Sequence, residues 1–285
     1  MDCHQAGSEP GGPIALASKP RLCYTTRMVT PTRSKREHLR RLVENKDRWS
    51  RSLTEHERLL GFLGWHERGY LPHCDFPNLT QLVTIRLHDS MPASRRAEWE
   101  HLLKLVDIRD RRLKLEEYLD RGVGECRLRE ARVAELAETT LLHFHRERYD
   151  LQAWCVMPNH VHVLVNVRMT PLGKIMQSWK RFIATQAVDV MTERRSPARL
   201  DGDPKFDGPG RRLALQLRWQ REYWDTFLRD EEQEQKAIHY IENNPLKAEL
   251  CRLPEEGPFS SARFRDEYRR LTFPTGRVGD RRSMW

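Results

Sequence analysis

At 285 residues the chain is long enough for one substantial core with extensions and too short for several large domains. Its 50 Lys and Arg outnumber 41 Asp and Glu, giving a formal net charge of +9 and a pI near 9.4, a balance that suits a polyanionic partner but selects no function by itself. Six scattered cysteines (Cys3, Cys23, Cys74, Cys126, Cys155, Cys251) form no CxxC pair, and no apolar leader or bilayer-length run is seen, so a zinc ribbon, a disulfide scaffold and a membrane partner are not expected and a cytoplasmic location is.

Residues 1–34, rich in Gly, Pro, Ser and Thr, show no sustained period and are predicted to form an extension that buries little surface. From Ser34 to Trp65 the chain is charged and helix-compatible, with Leu39, Leu42, Leu53, Leu59, Leu60 and Leu63 available as an apolar side. The β-branched run 79–87 predicts a first strand, ending at the turn Asp89-Ser90-Met91-Pro92. Two helices are expected over about 93–118 and 128–146, parted by Arg121-Gly122-Val123-Gly124. Residues 151–156 and 160–167 predict a hairpin that turns at Met157-Pro158-Asn159.

A helix follows over 171–191, with Pro171 in its first turn and Leu172, Ile175, Met176, Trp179, Phe182 and Ile183 at helical spacing. Residues 193–210 are polar and broken by Pro and Gly, as in a long surface loop, and an aromatic strand is expected over 218–228. The last helix is predicted from about Glu231 to Asn244, capped by Asp230 with Gln233 at the capping-box position and stopped by Pro245. This order predicts an α+β fold, a ferredoxin-like antiparallel sheet with helices packed on one face.

Alternate residues of a strand share a face, so His160 and His162 project together and can place two imidazoles on one cation; an isolated His-x-His more often holds no metal. His143 and His145 have the same spacing in a predicted helix, where they diverge and are read as packing or solvent-facing residues. Tyr240 and Asn244, four apart on the last helix, share one side and offer a phenol beside an amide oxygen, although both also suit ordinary packing. Around Trp179-Lys180-Arg181-Phe182 and Trp219-Gln220-Arg221-Glu222-Tyr223-Trp224, aromatic and basic residues suit base stacking and phosphate contacts. Trp179 reads better as core, and Lys180 and Arg181 as phosphate-backbone contacts. Tyr223 is the rival phenol, without a ligand-like residue one helical turn away.

Taken in order, 68–265 resembles the HUH single-tyrosine transposases, in particular the branch associated with repetitive extragenic palindromes. The resemblance rests on Gly69-Tyr70-Leu71-Pro72-His73, Val83-Thr84-Ile85-Arg86-Leu87, the segment from Trp154 through Met157-Pro158-Asn159-His160-Val161-His162 to Val165, Trp219-Gln220-Arg221-Glu222-Tyr223, Arg229-Asp230-Glu231-Glu232, Tyr240-Ile241-Glu242-Asn243-Asn244-Pro245 and Ser260-Ser261-Ala262-Arg263. It implies an HUH-type nuclease fold with His160, His162 and Asn244 as ligands to a divalent metal, Mg²⁺ or Mn²⁺, and Tyr240 as nucleophile. The implied reaction is nicking and joining of single-stranded or hairpin DNA through a 5′-phosphotyrosine, with Lys180, Arg181, Trp219, Gln220, Arg221 and Arg229 as candidate DNA contacts. It also divides the chain into an extension (1–67), a catalytic domain (68–265) and a basic tail (266–285), and leaves monomer and homodimer both open. The competing readings are a DNA-binding descendant that no longer cleaves and an RNA-binding or RNA-processing protein. The sequence departs from the family pattern in the extension, around Asp201-Gly202-Asp203, and at Glu255-Glu256-Gly257-Pro258-Phe259, where relatives often carry tryptophans.

Overall fold

Residues 79–86 form β3 (Leu79–Arg86), a strand buried along its whole length, as β-branched residues flanked by partners on both edges should be. The computed structural model describes residues 51–67, 72–103, 108–193 and 217–273, all within one unit spanning Leu42–Trp285. The predicted N-terminal extension and most of the 193–210 loop lie outside the described residues. In chain order the elements around β3 are α1 (Glu55–Leu60), β1 (Gly64–Glu67), β2 (Pro72–Asp75), α2 (Arg96–Leu103), α3 (Ile108–Asp120) and α4 (Ala131–His143). They continue with β4 (Tyr149–Val156), β5 (His160–Val167), α5 (Leu172–Glu193), β6 (Trp224–Phe227) and α6 (Glu231–Lys247).

Four strands pair antiparallel in the order β4-β5-β3-β6. Counted from β3, that is the βαββαβ arrangement with its first and third strands at the centre, the ferredoxin-like order expected. The two crossover helices share one face. Val133, Ala137 and Leu141 of α4 and Ile175, Met176, Trp179 and Ile183 of α5 pack there against Val83, Ile85, Val161, Val163 and Val165. Trp179 is core as read, its indole N–H donating to the Tyr149 hydroxyl at 3.0 Å, which donates in turn to Leu141 O at 2.8 Å.

The last helix extends this picture by covering the other face. Ala237 and Ile241 of α6 pack on Leu82, Ala153, Cys155, Met157 and Leu164. A bulge at Gln152 makes that second face possible on β4: the register passes from Leu151↔Val165 to Ala153↔Leu164. One extra residue inverts the alternation, so Leu151 and Trp154 both face the crossover helices while Ala153 and Cys155 turn to α6.

The chain after α6 returns along the free edge of β4, satisfying backbone groups that an open edge would expose. Val156 N–H donates to Phe259 O at 2.9 Å, and Trp154 N–H donates to Ser261 Oγ at 3.1 Å. Ser261 Oγ donates to Glu242 Oε1 at 2.7 Å, and Arg265 Nε donates to the same oxygen at 2.7 Å. Arg263 pairs with Glu138, which also accepts from the Trp154 indole at 2.9 Å. The Ser260-Ser261-Ala262-Arg263 motif is therefore a strap that locks α6 to β4, and Phe273 still packs beyond it by stacking on Trp154.

Three expectations are corrected. Trp65 lies in β1, paired with Cys74 of β2, because Gly61 takes a left-handed cap at the end of α1 and releases the chain into a hairpin. Residues 218–223 are not strand: only Trp224–Phe227 pairs along β3, with an isolated bridge between Trp219 and Leu87. Pro245 does not end α6, which runs to Lys247. A proline in the last turn forfeits one N–H bond only, and Leu250 N–H and Ala248 N–H still close the end on Pro245 O and Asn244 O.

Replacing Ser261 with Ala leaves Trp154 N–H unpaired and takes one donor from buried Glu242. We expect a loss of about 1–3 kcal/mol, read as a lower denaturant midpoint with unchanged slope; an unshifted midpoint would show that the strap adds nothing to stability.

Candidate active site

His160 and His162 stand on the α6 side of β5, opposite Arg86 and Thr84 of β3, and each is 1% exposed. Their Nε2 atoms converge to 3.0 Å. Asn159 fixes the first ring. Its amide nitrogen donates to Leu119 O at 3.2 Å and Val123 O at 3.0 Å, so its oxygen faces His160 Nδ1 at 2.7 Å and accepts that proton. Nε2 of His160 is then a lone pair. Thr84 Oγ1 lies 2.8 Å from His162 Nδ1 and performs the same service on the second ring when it accepts the Nδ1 proton. Burial, with the Arg86 guanidinium adding to it, drives the His160 pKa down to about 3 and keeps the ring neutral.

α6 brings Tyr240 and Asn244 to the same point. The Tyr240 hydroxyl lies 3.4 Å from His162 Nε2, with the rings edge to face. Asn244 is 1% exposed and neither of its side-chain polar atoms makes a hydrogen bond of good geometry, although its amide approaches the Tyr240 hydroxyl closely enough to oppose the rise in the phenol's pKa. That rise is large; burial causes most of it and the Glu116 carboxylate adds to it, so the hydroxyl keeps its proton. Glu242, between the two residues, points away to the Ser261–Arg265 strap and sets the rotation of the helix.

Two further charges border the site. Asp120, the last residue of α3, has Oδ1 4.0 Å from His160 Nε2 and Oδ2 3.3 Å from Lys247 Nζ. Burial raises its pKa, and Lys247 opposes that rise. On the other side the Arg86 guanidinium lies over the Trp224 ring, 4.3 Å from its centre.

The donors suit a divalent cation. Ligands about 2.1 Å from an octahedral ion sit about 3 Å apart when adjacent, which matches the two imidazole nitrogens, and an orphaned buried amide is a group that calls for a partner. No three His, Cys, Asp or Glu among the described residues close a metal site by themselves, so His160 and His162 would need the Asn244 oxygen or a further donor.

The other site residues read from sequence have different fates. Lys180 is committed to structure, donating to Gln220 O at 2.9 Å and Arg221 O at 3.1 Å. Gln220 donates to His88 O at 2.8 Å, and Trp219 packs partly buried against the core. Arg181, Arg221 and Arg229 are exposed, Arg229 lying over the Phe227 ring. Tyr223, the rival phenol, is buried against His73 on the crossover side of the sheet. His145 Nδ1 accepts from Leu151 N–H, which gives it a packing role as read. Sequence reasoning quoted Thr84, Arg86 and Asn159 within motifs of the resemblance without giving them these roles, and it missed Asp120, which lies in none of those motifs.

No family model matches the chain, and no curated protein matches it. Among solved structures it is similar to a REP-associated tyrosine transposase bound to a REP hairpin, with 14% identity and a TM-score of 0.35 over 70% of this chain and 82% of that one. No helix of the described residues is long and apolar enough to cross a membrane.

The depressed His160 pKa fixes a pH dependence. Between about pH 6.5 and about 3 the unfolded chain binds a proton that folded His160 refuses, so this contribution to stability is full above about 6.5 and drains away as pH falls. In histidine-labelled NMR the His160 ring should keep its neutral shifts down to pH 5; a midpoint near 6.5 would contradict the burial argument.

Proposed function

We propose that the chain is a metal-dependent single-strand DNA endonuclease and strand transferase of the HUH single-tyrosine transposase type, with Tyr240 as nucleophile. The observation that carries this reading is the Tyr240 hydroxyl 3.4 Å from one of two converging buried imidazole nitrogens, with the buried Asn244 amide beside the phenol. The ordered motifs shared with that family support it independently of the geometry.

A divalent ion, Mg²⁺ or Mn²⁺, held by His160, His162 and Asn244 would supply Lewis-acid polarisation of a phosphate oxygen. The chain's own residues do the rest. Asn159 and Thr84 hold the imidazoles in place, and burial keeps His160 uncharged and available as a ligand. Arg86 places a guanidinium beside His160, where it balances negative charge on a bound phosphodiester.

Tyr240 Oη attacks phosphorus and passes its proton to solvent or a nearby base; the P–O3′ bond breaks, leaving a 3′-hydroxyl and a 5′-phosphotyrosine. Attack of a second 3′-hydroxyl on that linkage restores a phosphodiester and releases the phenol, so the reaction needs no nucleotide cofactor. Single-stranded or hairpin DNA is the substrate favoured, since the scissile phosphate has to reach a phenol flanked by the sheet and α6. The exposed guanidinium groups of Arg181, Arg221 and Arg229 are the available contacts to its backbone.

With labelled hairpin DNA and Mn²⁺, wild type should give a denaturant-stable covalent adduct. Tyr240→Phe should give none, Tyr223→Phe should retain it, and His160→Ala should lose it by at least about 10²-fold, in line with removal of a group that stabilises transition-state charge. An undiminished adduct from Tyr240→Phe would remove the nucleophile assignment.

A further inference from the structure

The face of the sheet away from the histidine pair carries another buried imidazole. His73, at the end of Gly69-Tyr70-Leu71-Pro72-His73, and Asp225, just after the aromatic run 219–224, come from segments to which the site gives no role, yet they meet. His73 is 1% exposed, its Nδ1 is bonded to Asp225, and its Nε2 lies 3.5 Å from Glu222 Oε2. The other Asp225 oxygen accepts from Gln81 Nε2 at 2.9 Å, and the same nitrogen donates to Cys74 O at 2.9 Å. The β1–β2 hairpin, the central strand β3 and the edge strand β6 thus share one polar knot.

An imidazole donates to two carboxylates only when both of its nitrogens carry hydrogen. When neutral it donates once and turns a lone pair toward the second. Burial by itself lowers the pKa of His73, but Asp225 and then Glu222 outweigh it, and the net shift is upward. The other titratable or charged groups around the ring are His66 of β1, with ring centres 5.5 Å apart, Tyr223 at 4.9 Å, and Lys180 of α5, 5.5 Å from the Tyr223 ring. On β2 itself, burial pushes the Cys74 thiol up to about 12, and Asp75 accepts from the Leu63 and Leu172 N–H groups.

We propose that His73 is a proton-operated latch: its imidazolium clamps the β1–β2 hairpin to the edge of the sheet through Asp225 and Glu222, and loss of one proton frees Glu222 and loosens β6. The strand is short, four residues, and among the described residues its ladder is formed with β3 alone. Trp224 and Asp225 are neighbours on opposite faces, so a strand gripped through Asp225 on one side holds Trp224 beneath the Arg86 guanidinium on the other. Released Glu222 has an outlet in Arg221, whose Nε is 3.9 Å from Oε1 and whose side chain is 93% exposed. The proton linkage is opposite in sign to that of His160. Folded His73 keeps a proton that the unfolded chain gives up near 6.5, so its contribution to stability is full below about pH 6.5 and is lost as pH rises through the raised folded value. The latch needs neither a cation nor DNA.

The test uses the full-length protein without metal or DNA, titrated from about pH 5.5 to about 9, a range that brackets histidine ionisation. In histidine-labelled NMR the His73 ring should carry both protons at the acid end and titrate with a midpoint above about 6.5. Amide exchange is read at Gln220 and Leu228, whose N–H groups bond to Arg86 O and Thr80 O at either end of β6. Their protection, corrected for the intrinsic exchange rate, should fall by about tenfold through the same midpoint, the factor set by one hydrogen bond to a charged group. His73→Asn keeps a donor for Asp225 and should remove the step, while Glu222→Gln should lower the His73 midpoint and shrink it. A wild-type midpoint below about 6.5, protection that stays flat across it, or a step that persists in His73→Asn overturns the proposal. If His73→Asn does not fold, Glu222→Gln decides alone: a lower midpoint with a smaller step supports the latch, and an unmoved midpoint or an undiminished step refutes it.

Discussion

The Asn159 side chain joins the parts of the site that are most distant in sequence. It is fully buried in the turn between the two hairpin strands, gives its N–H groups to the end of α3, and accepts the Nδ1 proton of His160. A buried amide with all its partners present has one orientation, because turning it over would set donors against donors. The tautomer of His160, the placement of Asp120 and the angle of the hairpin turn therefore depend on one another.

On that support burial reinforces the forms the side chains already take near neutral pH, His160 neutral and Tyr240 protonated. The buried Asn244 amide, which has no hydrogen bond of good geometry, is the group that costs stability locally. The strap of Ser261 and Arg265 on Glu242 keeps α6 from rotating the phenol out of reach, so stability and site geometry share the same buried hydrogen bonds.

Much of the frame was legible because it is periodic. A β-branched run located β3, the turn at Met157-Pro158-Asn159 marked the β4–β5 hairpin, helical spacing located α5, and Asp230 with Gln233 marked the start of α6, where Asp230 accepts from Gln233 N–H and the Gln233 side chain accepts from Arg229 N–H. The same local rules failed where a long-range partner prevailed. The aromatic run 218–223 looked like strand, but Lys180 of α5 pins its carbonyls and only Trp224–Phe227 of the predicted strand pairs in register with β3. Pro245 looked like a stop, but the end of α6 closes around it through other carbonyls.

By itself the sequence determined that His160 and His162 share a strand face and that Tyr240 and Asn244 share a helix face, since both follow from backbone periods of two and 3.6 residues. It could not determine that these two faces meet. That depended on the tertiary structure: the bulge at Gln152 changes which residues of β4 look toward α6, and α6 settles on the face opposite the crossover helices. Asp120 was invisible for the same reason. A carboxylate 40 residues from the histidine it approaches carries no local signature, and only the packing of α3 against the hairpin turn brings the two within 4.0 Å.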